Sequence, residues 1–136
     1  MIFQSEREFQ LWDYTVGYAQ LLLRSPATAE EPFNIDLMFL GVKRIDIPTR
    51  MAGLTLLEPQ PSAPDAGRHE NIHRLVSGGR EYMVIAAAFR IYRNHHDLTE
   101  SSLEDFSLKP PRDPGELVSH TGLFLADLEF VGRSSV

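Results

Sequence analysis

Two histidines and a glutamate come nearest to a recognisable chemistry. In His69-Glu70-Asn71-Ile72-His73 the imidazoles stand four residues apart, with a carboxylate beside the first. On a helix these positions share one face, so both rings reach a single Zn²⁺ and Glu70 lies beside the metal-bound water as general base. A third ligand has to come from elsewhere, and His95, His96 and Glu81 are the candidates. On a strand the two histidines also share a face, but they stand about 13 Å apart along it, too far to hold one ion. The chemistry of the motif therefore depends on local helicity. His95-His96-Asp97 is a second histidine cluster, yet neighbours in an extended chain point to opposite faces, so it reads as a polar strand end or turn.

Over its five residues the H-E-x-x-H segment resembles the zincin metalloproteases, and the resemblance implies a small zinc-dependent hydrolase with His69 and His73 as ligands and Glu70 as the catalytic base. The chain departs from that pattern at Arg74, where an uncharged residue usually follows the second histidine. It also confines the segment between Gly67 and the Ser77-Gly78-Gly79 turn, where the zincin helix is long. No Gly-x-Ser-x-Gly elbow, phosphate loop or dinucleotide fingerprint is present. The paired carboxylates Glu30-Glu31 and Glu104-Asp105 fall in an expected loop and an expected surface helix, where solvation accounts for them.

The elements that would position these groups are mostly strands. Trp12, Tyr14, Val16 and Tyr18 recur at period two, as do Ala19, Leu21 and Leu23, so strands are expected over 9–16 and 18–24 with a break at Gly17. Ile35, Leu37 and Phe39 give the strongest strand signal, with Asp36 and Asp46 expected on a wet outer face. Leu54, Leu56 and Leu57 make a further short strand. Pro59, Pro61 and Pro64 mark an exposed loop. Ile72 to Val76, a Gly-Gly turn and residues 80–92 read as a hairpin, the second arm a strand buried on both faces despite Ala86-Ala87-Ala88. One helix is expected near residues 99–108, with Ser101 and Glu104 in capping-box spacing and Lys109-Pro110-Pro111 as its stop. Phe124 to Val131 alternates as a last strand.

These elements predict a mainly β single domain over residues 1–136, an antiparallel β-sandwich or partly open barrel. The length suits one core and leaves too little chain for two. With no cysteine, the chain offers no disulfide, thiolate metal site or thiol nucleophile, and a cytoplasmic location is the expectation. The amino terminus turns charged at once, unlike a secretory signal, and no apolar run approaches the roughly 20 residues of a membrane helix. A net charge of −6 argues against nonspecific nucleic-acid binding. Residues 68–96 run against that balance, with five arginines to two glutamates, and are expected to be solvated strand faces.

The segment Ile35-Asp36-Leu37-Met38-Phe39-Leu40-Gly41-Val42-Lys43-Arg44-Ile45 is similar to the strand, Gly-Val, strand pattern of some small β domains in bacterial immunity proteins. That resemblance implies a non-enzymatic protein that binds and neutralises a cognate toxin, often a basic nuclease. Residues 97–116 carry six acidic residues and two basic ones, so Asp97, Glu100, Glu104 and Asp105 are the expected partner-binding surface. Two alternatives stand beside this reading. One is the zinc hydrolase; the other is a homodimeric structural or regulatory subunit paired through an edge strand such as 124–131.

Overall fold

Alternating apolar and polar residues become strand almost wherever the sequence carries them. The computed structural model describes residues 1–62, 70–98, 100–103 and 113–121. Within these, ten strands follow one another: β1 (Phe3–Thr15), β2 (Gln20–Ser25), β3 (Asn34–Leu40), β4 (Arg44–Asp46), β5 (Arg50–Leu56), β6 (Gln60–Pro61), β7 (Asn71–Ser77), β8 (Arg80–Ala86), β9 (Ala88–Asn94) and β10 (Glu116–His120). Every pairing is antiparallel, in the order β10-β9-β3-β2-β1-β5-β7-β8-β4, with β6 added beside β7. The two end strands do not pair with each other, so the sheet is not closed into a barrel.

Two features fold this sheet onto itself. The first is β1, whose 13 residues serve two neighbours: the early part pairs with β5 and the later part with β2. Bulges between Ser5 and Glu8 and between Leu11 and Asp13 bend it, as an extra residue on one strand does. The second is a corner where two strand pairs continue into one another. β3 and β9 pair from Asn34↔Asn94 to Leu40↔Ala88, and past the corner β4 and β8 pair from Arg44↔Ile85 to Asp46↔Met83. At the corner the Ala87 amide donates to Leu40 O at 2.9 Å and the Lys43 amide to Ile85 O at 2.7 Å. Gly41 takes φ +66° there, and a Cβ on it would lie 3.0 Å from the Ala87 Cβ. A glycine facing an alanine lets the two chains cross this closely.

The fold encloses one main core. Leu23, Leu37 and Phe39 from one half meet Met51, Leu75 and Val84 from the other, all at most 2% exposed. Burial of each such side chain stabilises the fold by roughly 1.5–3 kcal/mol. A smaller cluster lies on the outer face of β2, β3 and β9, where Leu22, Met38 and Tyr92 are covered by Leu103 and flanked by Trp12. Every residue of β2 and β3 is therefore buried, on both faces.

The mainly β expectation holds, and several details differ. The long arm after the Gly-Gly turn is two strands, because Ala87 turns the chain from its pairing with β7 to its pairing with β3. The first strand begins six residues earlier than its apolar period suggested, since its inward positions there include Ser5 and Arg7. In place of a break at Gly17 stands one 3₁₀ turn, Val16–Tyr18, closed by Ala19 at φ 50°. Asp46 is exposed as expected, but Asp36 is fully buried. Residues 100–103 are not helical. Thr99, residues 104–108 and the expected strand over 124–131 lie outside the described residues.

Candidate functional site

The motif that promised metal chemistry takes the extended alternative. Asn71–Ser77 is a strand, so His73 occupies an inward position of β7 opposite Val84, fully buried. Its ring packs edge-on against Phe39 and Phe89, with centroids 5.2 and 6.0 Å away. Nε2 donates to Ala86 O at 3.1 Å, and Nδ1 has no partner among the described residues. Desolvation in this apolar setting lowers the His73 pKa from 6.5 to about 4, against a smaller opposing effect of the bond to Ala86. The imidazole is thus a neutral core group at physiological pH. Glu70 faces elsewhere: Oε1 accepts from the Ser62 hydroxyl at 2.9 Å, and Oε2 lies 3.6 Å from Lys43 Nζ. His69 lies outside the described residues. Among the described residues no group of three or more His, Cys, Asp or Glu is placed to hold a metal ion.

The concentration of polar chemistry lies instead on the outer face of β2, β3 and β9. In the β2–β3 register Arg24 stands directly opposite Asp36, both 0% exposed. Their contact is bidentate: Nε to Oδ1 at 2.7 Å and Nη2 to Oδ2 at 2.9 Å, the geometry in which a planar guanidinium matches a carboxylate best. On the next strand, Asn94 Nδ2 donates to Asp36 Oδ2 at 2.7 Å, and Asn34 Nδ2 donates to Asn94 Oδ1 at 2.9 Å. The Trp12 ring closes one side, with the Arg24 guanidinium carbon 5.3 Å from its centroid.

What these groups hold is a loop. Arg24 Nη1 donates to Glu100 O at 2.6 Å, and the buried Ser102 hydroxyl donates to Asp36 Oδ2. Asn34 Nδ2 reaches His96 O at 2.7 Å, and Asn94 Nδ2 reaches Pro114 O at 2.9 Å. His96 spans the loop, with Nε2 donating to Asp113 O at 2.8 Å and Nδ1 3.1 Å from Ser102 Oγ. Gly115, at φ +107°, permits the chain to return this closely; a Cβ there would lie 2.2 Å from Arg93 O. Beyond each other, the buried charges are thus satisfied by Glu100 O, Ser102 and Asn94, and the two asparagines in turn hold His96 O and Pro114 O. Removing the loop would leave the pair short of hydrogen-bond partners, and removing the pair would free the loop.

Asp36, His96 and Ser102 match the residue types of a hydrolytic triad, but not its wiring. The carboxylate binds the hydroxyl instead of orienting the imidazole, it is neutralised by Arg24, and Ser102 is 3% exposed. A substrate carbonyl has no path to that oxygen.

Of the expected partner-binding residues, Asp97 and Glu100 are exposed on this loop, and Glu104 and Asp105 lie outside the described residues. Asp97 and Glu100 brace each other: the Asp97 amide donates to Glu100 Oε1 at 3.0 Å and the Glu100 amide to Asp97 O at 3.1 Å. Between them Leu98 stands 64% exposed. The alternative third ligands are dispersed, since His95 Nδ1 bonds Pro32 O at 3.0 Å and Glu81 is exposed on β8 opposite Val76. No local sequence pattern singles out Arg24, Asn34, Asn94 or Ser102. One signal was there: pairing two adjacent strands in register places Arg24 across from Asp36, an opposite-charge pair inside otherwise apolar runs. No helix among the described residues is long and apolar enough to cross a membrane. In comparisons with known proteins, no family model, no curated protein and no solved structure matches the chain.

Proposed function

We propose that this chain is a non-catalytic protein-binding module whose recognition element is the loop formed by residues 95–98 and 100–101. The observation that carries the reading is the buried Arg24–Asp36 pair, whose remaining hydrogen bonds go to Glu100 O in that loop, to Ser102 beside it and to Asn94. Such a network lowers the ordering entropy left to lose on binding, which is how a preorganised surface gains affinity. The surface it presents is an apolar side chain, Leu98, between the carboxylates of Asp97 and Glu100. A desolvated apolar anchor with a charged rim is the common plan of a protein interface. The acidic rim suits a basic partner, and a toxin neutralised inside the cell is the form of partner that the immunity-type resemblance implies.

The test is photo-crosslinking in the source cell, with a crosslinking amino acid at Leu98 and, as comparison, at Val16, the exposed tip between β1 and β2. A discrete adduct is expected at position 98, reduced at least tenfold when Asp97 and Glu100 are both changed to lysine. An adduct at position 16 alone, or one at 98 unaffected by the charge reversal, would overturn the assignment.

A further inference from the structure

At the open end of the folded sheet, beside the buried network, two hollows meet at one arginine. The larger has a volume of 860 Å³ and the smaller 650 Å³, and Phe33 and Arg93 line both. The larger lies within the range of small-molecule sites. Its apolar lining is Phe3, Phe33, Ile35 and Val118.

Two guanidinium groups flank Phe33, and they differ in one decisive respect. Arg7 lies 5.3 Å from the ring centroid and is saturated: it donates to Ser25 Oγ and O, Pro26 O, Phe33 O and Glu31 Oε1. Its work is to tie the β2–β3 connection to β1. Arg93 lies 5.2 Å from the same centroid and is exposed, and among the described residues its guanidinium makes no hydrogen bond and no ion pair. Glu116 stands opposite Arg93 in the β9–β10 register, yet no ion pair forms between them. An arginine held on an aromatic face, with its donors free above an apolar cleft, is a receptor for a planar anion.

The geometry points to a binding site for a small monocarboxylate with an apolar body, its carboxylate on Arg93 and its alkyl or aryl part against Phe33, Ile35 and Val118. The charges around the cleft select a single negative charge. Glu31 is neutralised by Arg7, whereas Glu6 and Glu30 line the cleft exposed and Glu116 borders the second hollow. A dianion such as a phosphate monoester would set its surplus charge against these carboxylates.

Titration with octanoate, followed by amide and methyl NMR shifts, tests the site. Saturable shifts are expected at Phe33, Ile35 and Val118. Binding should weaken at least tenfold for octanol, for octyl phosphate and for octyltrimethylammonium. Arg93→Gln should also weaken octanoate at least tenfold, and Arg93→Lys less than Arg93→Gln. Because Arg93 is exposed, both variants are expected to keep the wild-type shifts outside the cleft, which checks their fold. No saturable shift at these residues, equal binding by Arg93→Gln, or tighter binding of octyl phosphate would each overturn the proposal.

Discussion

Asp36→Ala is expected to lower the free energy of unfolding by ~3–5 kcal/mol, the cost of leaving a buried charge without its partner. The fully buried Arg24 guanidinium would keep only Glu100 O and Ser102 Oγ as acceptors. Asn94 and Ser102 would each lose the carboxylate as an acceptor in the same step. Domains of this kind hold about 5–15 kcal/mol in all, so the variant is expected to be marginal. Trp12 lies against Arg24, so its fluorescence reports urea unfolding from the affected site itself. The double variant Arg24→Met, Asp36→Leu should recover part of the loss, since an apolar pair has no charge to desolvate. Recovery is partial because Asn94 and Ser102 stay buried without Asp36. A loss below about 1 kcal/mol in the single variant would mean that water replaces the carboxylate, and that the pair does not organise this face.

His73 carries the second large effect, as a pH dependence. Its folded pKa of about 4 lies below the unfolded value of 6.5, so the unfolded chain takes up the proton first on acidification. The contribution is fully present above about pH 6.5, declines as pH falls toward 4, and has no more to lose below that. Over this window the linkage amounts to about 3 kcal/mol of stability. Unfolding curves at half-unit steps from pH 7 to 4, compared with His73→Leu, isolate it, because other titrating groups are common to both proteins. The difference between the two proteins should change by about that amount across the window. Parallel curves would show that the ring is reached by water when folded, contrary to its place between Phe39 and Phe89.

The same two residues show how far the sequence is legible. Period-two apolar runs find strands well when one face is wet, as at 54–56, where buried Leu54 and Leu56 flank the more exposed Thr55. They mislead where both faces are covered. Asp36 sits at a position the alternation assigns to solvent, but residues 100–103 cover that face, and only long-range pairing reveals it. Arg7 misleads in the opposite sense, as a charged inward residue at the open end of the sheet that serves the backbone of the β2–β3 connection. The corner at Ala87 has no local signature, because an alanine run does not say where a strand changes partners. The spacing of the histidine motif is equally neutral, since a four-residue repeat fits one face of a helix and one face of a strand. What decides for the strand is β8, which pairs with all of β7 from Asn71↔Ala86 to Ser77↔Arg80. On the exposed side, the charge of Asp97 and Glu100 is enough to place them at the surface, because an acidic loop needs no tertiary partner to be recognised as exposed.

The central claim is that a buried ion pair holds a recognition loop in its binding shape, and amide hydrogen exchange tests it most directly. In the wild type the amides of Asp97, Glu100 and Leu103 donate hydrogen bonds to groups of the loop, and that of His96 donates to Asn94 Oδ1 at its start. They should exchange slowly for an exposed segment. In Ser102→Ala, which removes one hydroxyl between Asp36 and the loop, these four amides are expected to exchange at least tenfold faster while β2, β3 and β9 remain protected. Fast exchange of the loop in both proteins would contradict the account, because the network would then be holding the sheet and not the surface it presents.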